Sequence, residues 1–131
     1  MANYIHRMHV ITHIEFEAAN AQGSKVQQIS ANVKTNIDEK QHIVLIDVDF
    51  LVTDDETQKE ILHLRSRDLF TGIGSDVPKM TDMELQESVT LTLKKTDRDL
   101  QNILVMCGLD NMLNFPHLDV MNLKKDVHLM A

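Results

Sequence analysis

This sequence has a single cysteine and no long apolar run. Cys107 has no second cysteine to pair with, so an internal disulfide is excluded and a reducing compartment is expected. No segment approaches the roughly 18 consecutive apolar residues of a membrane-spanning helix, and the N-terminus has no basic stretch followed by an apolar core. We therefore expect a cytoplasmic protein with no membrane insertion.

Basic residues are also in short supply. The chain has 13 lysines and arginines against 20 aspartates and glutamates, which gives a net charge of −7. A surface with this charge repels a phosphate backbone, so nucleic acid is not an expected partner. With 131 residues, of which 43% are hydrophobic, the chain has the size of one domain with an apolar core and is too short for two. Residues 1–131 are therefore expected to form a single domain.

The strongest pattern that is present is the strand alternation of HIVLIDVDFLVT, residues 42–53. Its even positions form an unbroken apolar row at period two, and Asp47 and Asp49 interrupt the odd row. Because the odd row is still half apolar, the strand is predicted to lie inside a sheet rather than at its edge. The even row consists of Val44, Ile46, Val48, Phe50 and Val52.

Three further strands are predicted around this one, at residues 8–17, 28–37 and 59–70, with glycines ending the last and a loop at residues 18–25. Their connections are too short for a parallel crossover, so the four strands are expected to be antiparallel neighbours, in a meander or a near relative of one. The first strand is predicted to have a single apolar face, formed by Met8, Val10, Thr12, Ile14 and Phe16.

The second half of the chain changes to helical patterns. Thr81 and Glu84 fit a capping box at a helix start. Residues 88–94 have both helical spacing and β-type alternation, so helix and strand both stay open there. A further helix, capped at residue 96 or 97, is predicted to run to about Met112. The whole order predicts an α+β fold: a four-stranded antiparallel sheet followed by helices packed on one face.

Patterns for catalysis and metal binding are weak. The glycines at 72 and 74 lack the further glycine and the strand-to-helix context of a dinucleotide site. His9 and His13 lie about 13 Å apart on a strand, whereas the ligands of one metal ion lie within about 4 Å of each other. Asp47 and Asp49 share a strand face, where solvated carboxylates are more common than an acid and base pair. No catalytic residue, cofactor or metal is therefore predicted, and an enzyme is not expected.

ITHIEFEAAN, residues 11–20, resembles the opening strand of the SecB family of protein-export chaperones, in which Phe-Glu-Ala-Pro-Asn leads into a loop. An apolar central strand, a strand that closes on a glycine-rich loop after Phe70, and a helix that runs into a Phe-Pro-x-Leu motif at 115–118 follow in the family's order. Ala19 stands where the family has its proline. Small uncharacterised Gram-positive families share this fold.

The resemblance implies a SecB-like domain that holds unfolded or extended polypeptides and assembles as a homodimer or a dimer of dimers. Glu17 matches one of the acidic residues through which the family docks its export motor, so it is the candidate for partner docking; His13 and His63 stand where two other acids are expected. The candidates for polypeptide binding are apolar residues at the loop and helix ends. They are Phe70, Ile73, Phe115, Leu118 and Met121.

A second hypothesis is a small structural or regulatory homo-oligomer that has a single protein partner and no chaperone activity. The long first strand favours self-pairing, because its apolar residues make it a poor edge to leave open. A native mass measured with and without an unfolded protein separates the two hypotheses.

Overall fold

The structure, a computed structural model, describes residues 3–22, 24–74, 76–106 and 124–129, and in the last range it describes the side chain of Val127 only. These ranges contain five strands and two helices. No helix among them is long and apolar enough to cross a membrane. The elements are β1 (Tyr4–Phe16), α1 (Ala18–Ala21), β2 (Gln27–Asp38), β3 (Ile43–Asp54), β4 (Glu60–Gly72), α2 (Asp82–Met106) and β5 (Lys124–Leu129).

The strands form one sheet with the order β1-β4-β3-β2-β5. β1, β4, β3 and β2 are antiparallel neighbours and are followed by a long helix, so the predicted α+β fold is confirmed. β3 lies in the middle, as its alternation indicated. β1 pairs with β4 instead of β2, which makes the arrangement a relative of a simple meander. β5, which the sequence analysis did not predict, pairs with β2 in parallel.

The alternation of β3 divides the sheet into two faces. Its even residues, from Val44 to Val52, are at most 1% exposed and belong to the hydrophobic core, on the face that α2 covers. We call this the inner face. The odd residues, among them Asp47 and Asp49, are half-buried on the opposite, outer face. The central strand therefore contributes its whole even apolar row to one core, as the period-two pattern indicated.

The predicted apolar face of β1 is wrong, because two β-bulges interrupt the alternation. The pairing with β4 shifts between His6 and Met8 and again between Ile11 and His13. Each extra residue moves the following side chains to the other face of the strand. Met8 is therefore opposite Leu69 on the outer face, where it is exposed, and Ile11 packs against the core instead.

The helical region is one helix rather than two. The predicted capping box is present: Glu84 N donates to Thr81 Oγ1 and Thr81 N donates to Glu84 Oε1, both at 3.1 Å. Residues 88–94 are helical. Thr96 lies inside this helix and so caps no second one. It is buried, and its hydroxyl hydrogen-bonds to Ser66 Oγ of β4 at 2.8 Å. The predicted helix end at about Met112 lies outside the described residues.

The sequence predicts the end of β4 better than the segment that follows β1. The loop expected at residues 18–25 contains the single helical turn α1. The end of β4 at Gly72 is as predicted. A Cβ atom at Gly72 would lie 2.8 Å from the Cβ of His42, so only glycine allows these two segments to approach so closely.

Candidate polypeptide-binding surface

An uncharged groove of about 290 Å³ lies between α2 and β2. We call it the α2–β2 groove. β5 borders it through Val127, which is opposite Thr35 in the parallel pairing. Its lining residues have no charged side chain; they are Val33, Thr35, Leu85, Gln86, Val89, Thr90 and Val127.

The local folding of each element explains why these residues meet. Leu85 and Val89 are four residues apart on α2 and therefore lie on the same helix face. Val33 and Thr35 are two residues apart on β2 and both point to the inner face, where they are buried. A groove that has aliphatic side chains on both walls and no charged residue favours an apolar side chain of an extended chain over a charged small molecule.

The centre of the outer face is charged and contains a shallow cavity of about 600 Å³. Arg67 makes a two-pronged ion pair with Asp47, donating from Nε at 2.7 Å and from Nη2 at 3.0 Å. The hydrogen bonds and the charge of Asp47 raise the pKa of Arg67. Asp49 contacts His63 Nε2 at 2.8 Å and Arg65 Nε at 3.4 Å. Both aspartates are thus held in ion pairs across the strands rather than turned toward each other.

One end of the outer face is apolar. The pairing places Met8 of β1, Leu69 of β4 and Leu45 of β3 in one row across three strands. Ile5 lies in the neighbouring row and, like Met8, is 40% exposed. These residues form an apolar patch that extends to β1. The second edge of β1 pairs with no other strand among the described residues.

Four ionisable residues form a network where β1, β4 and α2 meet, and we call it the His9 network. Asp68 of β4 is 0% exposed and accepts hydrogen bonds from His6 Nε2 at 2.7 Å and from His9 Nδ1 at 2.6 Å. Nε2 of His9 donates to Asp99 Oδ2 on α2 at 2.5 Å. The network connects the edge strand both to its neighbouring strand and to the covering helix.

The geometry of the His9 network requires a charged imidazole. Both ring nitrogens of His9 face carboxylate oxygens, and a neutral imidazole can donate from only one of them. Burial lowers the pKa of His9, but the hydrogen bonds and negative charges of Asp68 and Asp99 raise it by more, so the net shift is upward from 6.5. Among the described residues, no group of three or more histidines, cysteines and acidic residues is arranged to hold a metal ion.

The structure describes three of the six sequence-predicted site residues, Phe70, Ile73 and Glu17. Phe70 is fully buried in the core, because its side chain is on the inner face of β4, so it cannot contact a bound polypeptide in this arrangement. Ile73 is exposed at the end of β4, and its role stays a prediction. Glu17 is exposed where β1 meets α1, and its role in docking also stays a prediction. The other three candidates, Phe115, Leu118 and Met121, lie outside the described residues.

Sequence reasoning missed both the groove and the His9 network. The helical spacing of Leu85 and Val89 and the alternation of Val33 and Thr35 were available signals, but each only assigned its residues to a core face. No pattern indicated that β5 would add to β2, since the parallel pair joins residues far apart in the chain. Asp68 likewise gave no sign that it would be buried.

Comparison with solved structures shows a likeness that extends over most of the chain. The chain is similar to the SecB-like chaperone Rv1957 of Mycobacterium tuberculosis, solved in complex with a ChAD peptide from the Rv1956 HigA1 antitoxin. The TM-score is 0.61 at 11% sequence identity, and the match covers 88% of each chain. No family model and no curated protein matches the sequence. At this identity the likeness shows the fold alone, so the predicted SecB-like fold is confirmed.

Proposed function

We propose that this protein holds unfolded or extended polypeptides without catalysis, in the manner of a chaperone, and that apolar side chains of the bound polypeptide enter the α2–β2 groove. The observation that carries the proposal is this groove, an uncharged cavity of about 290 Å³ on a SecB-like fold. The similar mycobacterial chaperone binds a peptide, which supports the same class of ligand here. A cytoplasmic location is part of the proposal and follows from the lone cysteine.

A substitution in the groove tests this function. Leu85→Gln is expected to weaken binding of a reduced, carboxymethylated reference protein about tenfold, because an amide replaces apolar surface that the polypeptide would cover. Binding is measured by fluorescence anisotropy of the labelled polypeptide, and by native mass with and without it.

Ile103→Gln is the matched control. Ile103 is also a half-buried aliphatic residue of α2 that packs against the core, but it lies five helical turns, or about 27 Å, from Leu85. Its substitution should change the affinity less than about twofold. If the wild-type chain binds no unfolded protein, the proposed function is wrong; if both substitutions weaken binding equally, the groove is not the site.

The open edge of β1 favours a second proposal, that the chain assembles with copies of itself through this strand as a homodimer or a dimer of dimers. β1 has 13 residues, and exposed Met8, Val10 and Ile14 lie along it. A long apolar edge of this kind is normally covered. The same assembly would serve the alternative function, a structural or regulatory oligomer with a single protein partner.

Sedimentation at micromolar concentration should therefore give at least twice the chain mass of 15.0 kDa. Met8→Lys should release monomers, because a charge on an edge strand opposes strand pairing. Met83→Lys, at an exposed position of α2, should leave the mass unchanged. A wild-type chain that sediments as a monomer would contradict this assembly.

A further inference from the structure

The sheet has one parallel strand among its described strands, and this strand sits at the edge next to the α2–β2 groove. β5 is six residues long and pairs along residues 32–37 of β2. Parallel pairs are slightly less stable per residue than antiparallel ones, and a short edge strand has a single ladder of hydrogen bonds. β5 is therefore the strand of this sheet that another extended segment can replace at the lowest cost.

Val127 of β5 does not fill the space in front of it. It is 56% exposed, although its partner Thr35 is buried and it lines the groove with Leu85 and Val89. About 290 Å³ remains open beside it. A leucine, methionine or phenylalanine at this position of a paired strand would bury more apolar surface than a valine does, and affinity rises with the apolar area removed from water.

We propose that the edge of β2 at residues 32–37 is an acceptor site for an extended polypeptide strand, and that β5 is the chain's own occupant, which a bound polypeptide displaces. The preferred ligand has a large apolar residue opposite Thr35 and apolar residues at alternate positions, because alternate residues of a strand point to the groove. Backbone hydrogen bonds to β2 then hold the ligand in register, and the groove selects its side chains. This inference rests on the proposed function and specifies how the polypeptide is held.

Two substitutions of Val127 in the full chain should move affinity in opposite directions. Val127→Asp places a charge beside an uncharged groove, loosens β5 and should tighten binding of an added strand about tenfold. Val127→Phe fills the groove from within and should weaken binding to a similar extent. The probe is a short fluorescein-labelled peptide with phenylalanine at every second position between threonines and lysines.

Two controls separate strand pairing from general stickiness. Val26→Asp introduces the same charge at a valine that is 58% exposed and lies before the start of β2, so the affinity should stay within about twofold of the wild type. A peptide of the same composition with consecutive phenylalanines should bind more weakly than the alternating one, because it presents fewer apolar side chains to one face. Circular dichroism melting confirms that each variant is folded.

The outcomes distinguish this inference from the proposed function. If the wild-type chain binds the reduced, carboxymethylated protein but both Val127 substitutions leave its affinity and that of the peptide unchanged, the acceptor edge is wrong and polypeptide holding stands. If neither probe binds to any variant, both are wrong. Hydrogen exchange gives a second readout: residues 32–37 should stay protected when the peptide is bound, while the amides of β5 lose protection.

Discussion

Replacing His9 by alanine is expected to lower the free energy of unfolding by about 2–3 kcal/mol. The loss is smaller than for a fully buried ion pair, because water partly reaches the imidazole. The substitution removes the cation that lies between Asp68 and Asp99, at 2.6 Å and 2.5 Å. Asp68 is 0% exposed and would retain His6 as its one described histidine partner. A buried carboxylate that loses its opposite charge is costly, and β1 would also lose its ionic link to α2. Urea denaturation at neutral pH measures the effect.

His13→Ala is the control for this prediction, because His13 is on the same strand and its ion-pair partner Glu15, at 3.3 Å, is exposed. It should change the unfolding free energy by less than about 0.5 kcal/mol. The dependence on pH provides a second check. Because the folded-state pKa of His9 lies above the ordinary 6.5, its stabilisation is complete below that pH and is lost as pH rises through the folded-state value. The difference between wild type and His9→Ala should therefore shrink at alkaline pH, and a difference that grows there would contradict a charged His9.

Replacing Phe50 by alanine is expected to lower the free energy of unfolding by about 3–5 kcal/mol. Phe50 is fully buried at the centre of β3, opposite Ala31 of β2 and Leu64 of β4. Removal of its ring leaves a cavity between three strands and α2, and the adjacent β-strands are hydrogen-bonded on both sides and cannot collapse into the space. Thermal or urea unfolding followed by circular dichroism measures the loss.

Leu51→Ala is the comparison for Phe50→Ala. Leu51 is the next residue of the same strand, but it lies on the outer face and is half-buried. Its truncation should cost about 1 kcal/mol, because it removes less apolar surface from a site that solvent can reach. Equal losses for the two variants would mean that the outer face is covered to the same extent as the inner face, as in an assembly that buries both.

The two edge strands of the described sheet differ in length and in packing. This difference connects the proposed assembly with the proposed polypeptide binding. β1 is long, bulged and apolar at one end of its outer face, which suits a lasting pairing with a second copy. β5 is short and leaves space beside Val127, which suits an exchange of strands. Assembly would thus use one edge and polypeptide binding the other, so a bound client would not need to disrupt the oligomer.

Local patterns in the sequence were enough to predict the framework of the fold. The apolar row of β3 places Phe50 in the core because side chains alternate strictly along a strand, whatever the strand pairs with. The capping box of Thr81 and Glu84 is equally local, since both hydrogen bonds join residues three apart. Short connections between the first four strands made antiparallel pairing the geometric outcome.

Features that depend on contacts between distant residues were decided by the tertiary structure. The bulges of β1 arise from its register against β4, so no alternation within β1 could show that Met8 faces outward. His9 meets Asp68 and Asp99 across 59 and 90 residues of chain, and only the packed sheet and helix bring their charges together. The α2–β2 groove and its partial filling by Val127 depend on a parallel pair between β2 and β5. Period and propensity act over a few residues, whereas strand order and burial are set by which surfaces the whole chain can cover at once.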